Sequence, residues 1–186
     1  MRKLMAFDHL TLDGYFTDAS NDMRWAHNQD AEWNAFAEEN AGAGGVLVFG
    51  RITYELMVSY WPTQEAIKSA PRLAERMNGL PKVVFSRTLD KVSWSNSKLV
   101  KGDLPAEIRA LKSQPGKDLV ILGSGSIVSQ LTQENLIDEY QLVLNPVVLG
   151  KGRSLFEGVS KKLSLKLAAT RSFGNGNVLL RYVATA

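Results

Sequence analysis

The chain of 186 residues has no cysteine and only two histidines, His9 and His27. Without cysteine there are no disulfide frameworks, thiol nucleophiles or thiolate metal sites. Two imidazoles without the i, i+4 spacing of helical metal sites give no ground for a zinc centre, so no metal is expected. A G-x-S-x-G elbow is also missing, and Gly123-Ser124-Gly125-Ser126 has a different spacing, which disfavours a hydrolase. No apolar run approaches the roughly 20 residues of a spanning helix, and no apolar stretch follows Arg2 and Lys3 as in a signal peptide. The expected setting is the cytoplasm, with no membrane partner. Lys and Arg number 22 against 19 Asp and Glu, a net charge of +3 with no basic stripe, so nucleic acid is not expected. Trp25, Trp33, Trp61 and Trp94 are scattered, as core or pocket walls are, and do not suggest a base-stacking platform.

What is present is enough for one core. Hydrophobic residues make up 45% of the chain, no linker or repeat divides it, and residues 1–186 read as a single domain. Lys3 to Leu12 reads as a strand, and the polar stretch Asp13 to Asn28 as a long irregular loop. Asp30 opens a helix with Trp33, Phe36 and Ala37 at helical spacing, stopped by Asn40 and the glycines after it. Val46 to Phe49 is a buried strand, Gly50 a break, and Thr53 to Tyr60 a short helix. A further helical stretch interrupted at Pro71 runs to Asn78. Strands are expected at Lys82 to Ser86, Leu99-Val100, Leu119 to Leu122 and Glu139 to Leu149. The helices between them begin at Asp103-Pro105 and about Ser126. This alternation implies an α/β fold with a mostly parallel sheet covered on both faces. Leu163 to Phe173 and Val178 to Ala184 flank Gly174-Asn175-Gly176-Asn177 and read as an antiparallel C-terminal hairpin.

Ligands of such sheets sit at the carboxyl ends of the strands. Three of those ends share a character. Gly50-Arg51-Ile52-Thr53 puts a glycine, a guanidinium and a hydroxyl at a helix start, where free N–H groups favour an anion. Ser86-Arg87-Thr88 sets an arginine between hydroxyls. Gly123 to Ser126 feeds a helix N-terminus with small residues that let backbone approach a pyrophosphate. Together they suggest a phosphorylated dinucleotide. Each alone has a plainer reading as a turn or a surface cation. The Rossmann glycine fingerprint is incomplete, and Gly150-Lys151-Gly152 does not complete a P-loop.

The order Leu12-Asp13-Gly14, Trp25 with Asp30, Phe49-Gly50-Arg51-x-Thr53, Val84-Phe85-Ser86-Arg87 and Ile121-Leu122-Gly123-x-Gly125 resembles the dihydrofolate reductase superfamily. Asn145-Pro146-Val147-Val148-Leu149-Gly150-Lys151-Gly152-Arg153 looks more like the C-terminal reductase domain of bifunctional riboflavin biosynthesis proteins. The resemblance implies a dihydrofolate reductase-like three-layer sandwich and an NADPH-dependent reductase of a small heterocycle, similar to 5-amino-6-(5-phosphoribosylamino)uracil reductase or dihydrofolate reductase. It also implies a homodimer. By the resemblance, Gly50, Arg51 and Thr53 line the cofactor, Ser86 and Arg87 meet its 2′-phosphate, and Gly123, Ser124, Gly125, Ser126 and Ile127 cover the pyrophosphate. The family often joins three glycines through a cis peptide. Ser124 replaces the middle one, where a cis bond would cost about 3 kcal/mol or more.

For proton delivery the resemblance offers Asp30, set against aromatic surface, with Asp13 as its rival. Asp30 reads equally as a helix cap and Asp13 as a turn residue, while Glu32 is expected to face solvent. Trp25 and Trp33 are candidate substrate walls, and Lys151 and Arg153 candidate substrate cations or members of a solvated basic loop. Leu80-Pro81-Lys82 stands where folate reductases place an arginine, which disfavours folate. The other class that fits these residues is a non-catalytic nucleotide-, pterin- or flavin-binding protein.

Overall fold

The computed structural model describes residues 1–27 and 30–185. The strands are β1 (Leu4–Thr11), β2 (Tyr15–Thr17), β3 (Val46–Gly50), β4 (Lys82–Phe85), β5 (Ser97–Val100), β6 (Leu119–Leu122), β7 (Glu139–Asn145), β8 (Arg153–Ser154), β9 (Leu165–Ser172) and β10 (Val178–Ala184). Among the described residues six α-helices accompany them: α1 (Ala31–Gly42), α2 (Arg51–Tyr60), α3 (Gln64–Ser69), α4 (Pro71–Gly79), α5 (Leu104–Ser113) and α6 (Gly125–Gln133).

Eight strands form one sheet in the order β5-β4-β3-β6-β1-β7-β10-β9. Pairing is parallel from β5 through β7 and antiparallel at β7–β10 and β10–β9. The short β2 and β8 pair in a separate ribbon. The fold is therefore α/β, with a mostly parallel central sheet and an antiparallel C-terminal hairpin, as the residue pattern implied.

Burial follows from strand position. The first strand, β1, is central and covered on both faces, so its residues divide by parity. Leu4, Ala6 and Leu10 join Ile108 of α5 and Ile127, Val128 and Leu131 of α6 in one core. Phe7 packs on the opposite face with Trp33 and Phe36 of α1 and with Phe173. Farther along that face, Phe49 and Val84 meet Tyr54 of α2, Met77 of α4 and Trp94. Helices thus cover both faces of the sheet and make three layers.

Several boundaries differ from the sequence reading, most by a residue or two and four of them with a structural consequence. The stretch expected to be irregular contains β2 and a 3-10 turn at Arg24–Ala26; its Asn28 lies outside the described residues. The helix expected from Thr53 begins directly at Arg51, because Gly50 in extended conformation (φ −83°, ψ 170°) already serves as its N-cap. Strand β5 is longer than Leu99-Val100. By contrast, β7 ends at Asn145 and not at Leu149, since Pro146 has no N–H to extend the ladder. No cis peptide bond occurs among the described residues; Gly123 and Ser124 instead lie at φ 66° and 75°.

Candidate active site

The carboxyl ends of β4, β3, β6 and β1 lie side by side, and Ser124 ties two of them together. Its Oγ accepts a hydrogen bond from Gly50 N at 2.8 Å and donates one to Thr53 Oγ1 at 2.7 Å. This joins the β3–α2 turn to the β6–α6 loop. The approach leaves no room for side chains. A Cβ on Gly50 would lie 3.2 Å from Ser124 Oγ, and one on Gly123 would lie 3.3 Å from Thr53 Cγ2.

Helix starts among the described residues differ in their capping, and α4, opened by Pro71, has no side-chain cap. α1, α3 and α5 are capped by the side chains of Asp30, Thr63 and Asp103. α2 and α6 have no side-chain cap, because Gly50 offers none and the Ser124 hydroxyl is engaged across the junction. In α6 Ile127 N donates back to Ser124 O at 2.8 Å; the N–H groups ahead of it, and those that open α2, could meet an outside acceptor, with the partial positive charge of two helix termini behind them.

The remaining candidate cofactor residues sit around this junction. Arg51 begins α2 and pairs with Glu55 at 3.0 Å on its own helix surface. Ile127 is buried beneath the first turn of α6, and Ser126 is exposed. Ser86 follows β4, which pairs with β3 through Gly50↔Phe85, and its Oγ accepts from Leu89 N at 3.0 Å. Next to it, Arg87 is exposed and makes no ion pair among the described residues.

On the opposite face of β1 an aromatic wall surrounds His9. Its ring lies 5.3 Å from that of Trp33, and Trp33 lies 5.0 Å from Phe173. Burial lowers the His9 pKa to about 4, so the imidazole is neutral. Asn145 Nδ2 is 3.2 Å from His9 Nδ1. The register of β10 on β7 puts Asn177 opposite Asn145. Both Asn177 side-chain polar atoms and Asn145 Oδ1 are buried and unpartnered among the described residues. This polar end of the aromatic cluster was missed in the sequence, where both asparagines look like strand-end and turn residues. Pairing register alone brings them together.

Asp30 is the N-cap of α1, its Oδ1 accepting from Trp33 N at 2.7 Å, and it stands at the rim of the aromatic wall. Glu32 is exposed, as expected, and also accepts from Gly174 N at 3.0 Å and meets Arg171 at 3.4 Å, fastening α1 to the β9–β10 turn. Asp13 accepts from Thr11 Oγ1 at 2.6 Å and Gly150 N at 2.7 Å, and more distantly from Leu149 N. These donors, the Thr11 hydroxyl first, hold its pKa below the usual carboxylate range. Asp13 therefore clasps the turn after β1 to the loop after β7 as a carboxylate. Trp25 is half-buried, its Nε1 donating to Asp22 O at 3.2 Å. Lys151 and Arg153 are exposed, with Arg153 3.1 Å from Asn21 Oδ1, and the geometry does not bring either to the aromatic wall.

Asp8 also escaped the sequence reading. It is 2% exposed, neither oxygen has a partner among the described residues, and burial raises its pKa to about 7. In the sequence it passes for the polar member of a strand that alternates. No cluster of metal-ligating side chains occurs among the described residues.

Comparison with known proteins agrees with this architecture. An uncharacterized protein, YyaP, of Bacillus subtilis (strain 168) is 29% identical over 93% of this chain and 90% of its own length. The crystal structure of a Shewanella protein described as a putative riboflavin biosynthesis protein superposes with a TM-score of 0.74 at 24% identity, covering 99% of both chains. Dihydrofolate reductase from Enterococcus faecalis, in complex with NADP(H) and RAB-propyl, shares the fold with a TM-score of 0.65 at 15% identity, over 99% of this chain and 97% of that one. The model of the RibD C-terminal domain family matches residues 2–179. By sequence match and by a dihydrofolate reductase-like, reductase-type fold, the chain belongs to the RibD C-terminal domain family.

Proposed function

We propose that the protein is an NADPH-dependent reductase of a small planar heterocycle. The observation that carries this reading is the pair of uncapped helix ends joined through Ser124, with Arg87 two residues beyond the strand next to them. From β4 to β1 is three strand spacings, about 14 Å, a reach that suits a dinucleotide better than a mononucleotide. The residues fit the group. Gly50 and Gly123 let the two turns close on each other, the first turns of α2 and α6 donate to the pyrophosphate, and the planar fork of Arg87 suits the 2′-phosphate that NADH lacks.

Bound NADPH would supply a hydride. The chain's part is to hold the acceptor ring against Trp33, Phe36 and Phe173, exclude water there, and deliver a proton from Asp30 at the rim. Asp13 is the weaker donor, since its hydrogen bonds favour the ionised form. The Shewanella relative is described in terms of riboflavin biosynthesis, and a pyrimidine or pteridine ring fits the aromatic wall. We also propose a homodimer: β9 is an edge strand exposed along most of its length, and such edges are commonly covered.

The test is a tryptophan-fluorescence titration with NADPH and NADH in parallel, repeated on Arg87→Ala. NADPH should bind more tightly, and the preference should disappear in the variant. Absence of binding by either dinucleotide would overturn the reading in favour of a pterin- or flavin-binding protein.

A further inference from the structure

The strand ends that carry the proposed dinucleotide site run β4-β3-β6-β1, and the sheet continues from there through β7 and β10. Asn145 closes β7, and Asn177 stands just before β10, opposite it in the ladder. Their parity is that of Val143 and Leu179, so both side chains lie on the face that holds Trp33, Phe36 and Phe173. Asn145 is 2% exposed and Asn177 0%. A buried amide without partners is strongly unfavourable, so such a group persists where something outside the protein completes it.

The Asn145 amide has a fixed sense. Its Nδ2 donates to Leu10 O at 3.1 Å and to Val143 O at 3.0 Å, and lies 3.2 Å from His9 Nδ1. Carbonyl oxygens have no hydrogen to give, so the amide cannot be turned over, and Oδ1 is left as an open acceptor. Asn177 has neither polar atom partnered among the described residues and so offers one donor and one acceptor side by side. The two amides do not satisfy each other. Their neighbours are engaged elsewhere: Thr11, opposite Asn145 on β1, gives its hydroxyl to Asp13, and Asn175 Oδ1 accepts from the Asn177 backbone N at 3.0 Å. One donor and two acceptors are therefore open at one end of an aromatic cluster. A primary amide matches a ring edge with C=O beside N–H through two hydrogen bonds, as in the reading of base edges. A further acceptor next to it matches a second N–H on the ring and opposes a second carbonyl.

We propose that Asn177 and Asn145 read the edge of the acceptor heterocycle. Asn177 Nδ2 donates to a ring carbonyl, Asn177 Oδ1 accepts from the adjacent ring N–H, and Asn145 Oδ1 accepts from an amino group beside that. They are specificity-determining residues, and the inference rests on the reductase reading above for the ring's place against Trp33, Phe36 and Phe173 and for its part as hydride acceptor. The pair lies one and two strands beyond β1, where the dinucleotide row ends, about 5 and 10 Å farther along the sheet. Both amides are closed to solvent, so the ring enters only if α1 and the β9–β10 turn part, which releases Glu32 from Gly174 N and Arg171.

The edge is probed with pterin and lumazine, which differ where pterin has an amino group and lumazine a second carbonyl. The whole protein is titrated calorimetrically with each ring, with and without NADP+, and with NADPH, as wild type and as Asn177→Leu. Wild type should bind pterin roughly tenfold more tightly than lumazine, whose second carbonyl would face Asn145 Oδ1. Asn177→Leu should weaken both rings by roughly tenfold, from the loss of two hydrogen bonds, and should keep the preference for pterin because Asn145 is unchanged. NADPH should bind both proteins equally. The substitution removes an amide that has no partner in the protein, so the variant should melt no lower than the wild type. Equal affinity of the wild type for pterin and lumazine, no ring binding by a protein that binds NADPH, or ring affinity unchanged in Asn177→Leu overturns the assignment and leaves the dinucleotide site standing. A variant that melts well below the wild type also overturns it, by showing that the Asn177 amide serves the fold. Failure of the wild type to bind NADPH removes the reductase reading, and the acceptor role of the ring with it.

Discussion

Asp8 and His9 are consecutive on β1 and face opposite sides of the sheet, and burial drives their ionisation in opposite senses: the acid's pKa up to about 7, the base's down to about 4. Both are therefore neutral near pH 5.5.

The two make opposing contributions to stability. A raised Asp8 binds its proton more tightly folded than unfolded, so its contribution falls as pH rises from about 4 to 7. A lowered His9 holds its proton less tightly folded, so its contribution is lost as pH falls from 6.5 to about 4. Over the shared window the slopes nearly cancel. Asp8→Asn should expose the His9 slope and stabilise the protein at pH 8 by an amount on the order of 3 to 4 kcal/mol, with a smaller gain at pH 5. Chemical denaturation at the two pH values checks this, and equal gains at both would contradict it.

Ser124 inverts the usual order of small substitutions. At φ 75° it occupies left-handed backbone that glycine enters freely, while its hydroxyl makes two buried bonds. Ser124→Gly loses the bonds and relieves the backbone, and should cost about 1 kcal/mol; Ser124→Ala loses the bonds and keeps the strain, and should cost about 1 kcal/mol more. Urea midpoints rank the two variants.

Asp30 has two roles that substitution can separate. Asn caps a helix as well as Asp does, so Asp30→Asn should leave stability unchanged, whereas Asp30→Ala should cost about 1 kcal/mol. If Asp30 delivers the proton, NADPH oxidation with a pyrimidine or pteridine acceptor should stop in both variants. Full turnover in the well-folded Asn variant would remove Asp30 from the chemistry.

The Asp13 clasp should be legible by hydrogen exchange. Asp13→Ala frees the N–H groups of Leu149 and Gly150, so their exchange should accelerate while β1 and β7 stay protected. Unchanged exchange at Gly150 would show that the loop after β7 is held by other contacts.

The sequence carried the architecture because period and punctuation are local. Strands are bounded by Gly50, Gly123 and Pro146, and helices are opened by Asp30 and Asp103. Strand ends were less legible, since β7 stops where the backbone donors stop and not where the apolar run stops. The candidate anion-binding turns could be read from composition, but the bridge from Ser124 to Gly50 and Thr53 could not: it spans more than 70 residues and depends on β3 and β6 being neighbours. Asp8, Asn145 and Asn177 stayed hidden for the same reason. Whether a polar residue in a strand faces water or lies unpartnered in a core is decided by what packs over it.

The order of the sheet also governs how the chain can fold as it is made. β1 is the first strand to be synthesised, yet both its neighbours, β6 and β7, begin only at Leu119 and Glu139. At ordinary synthesis rates that is a wait on the order of ten seconds, during which Phe7, Asp8 and His9 have no sheet to enter. β3, β4 and β5, close in sequence, can pair meanwhile. The turns after β3 and β4 can therefore form first, and the aromatic wall of Trp33, Phe36 and Phe173 closes last, when the ribosome has delivered the C-terminal hairpin.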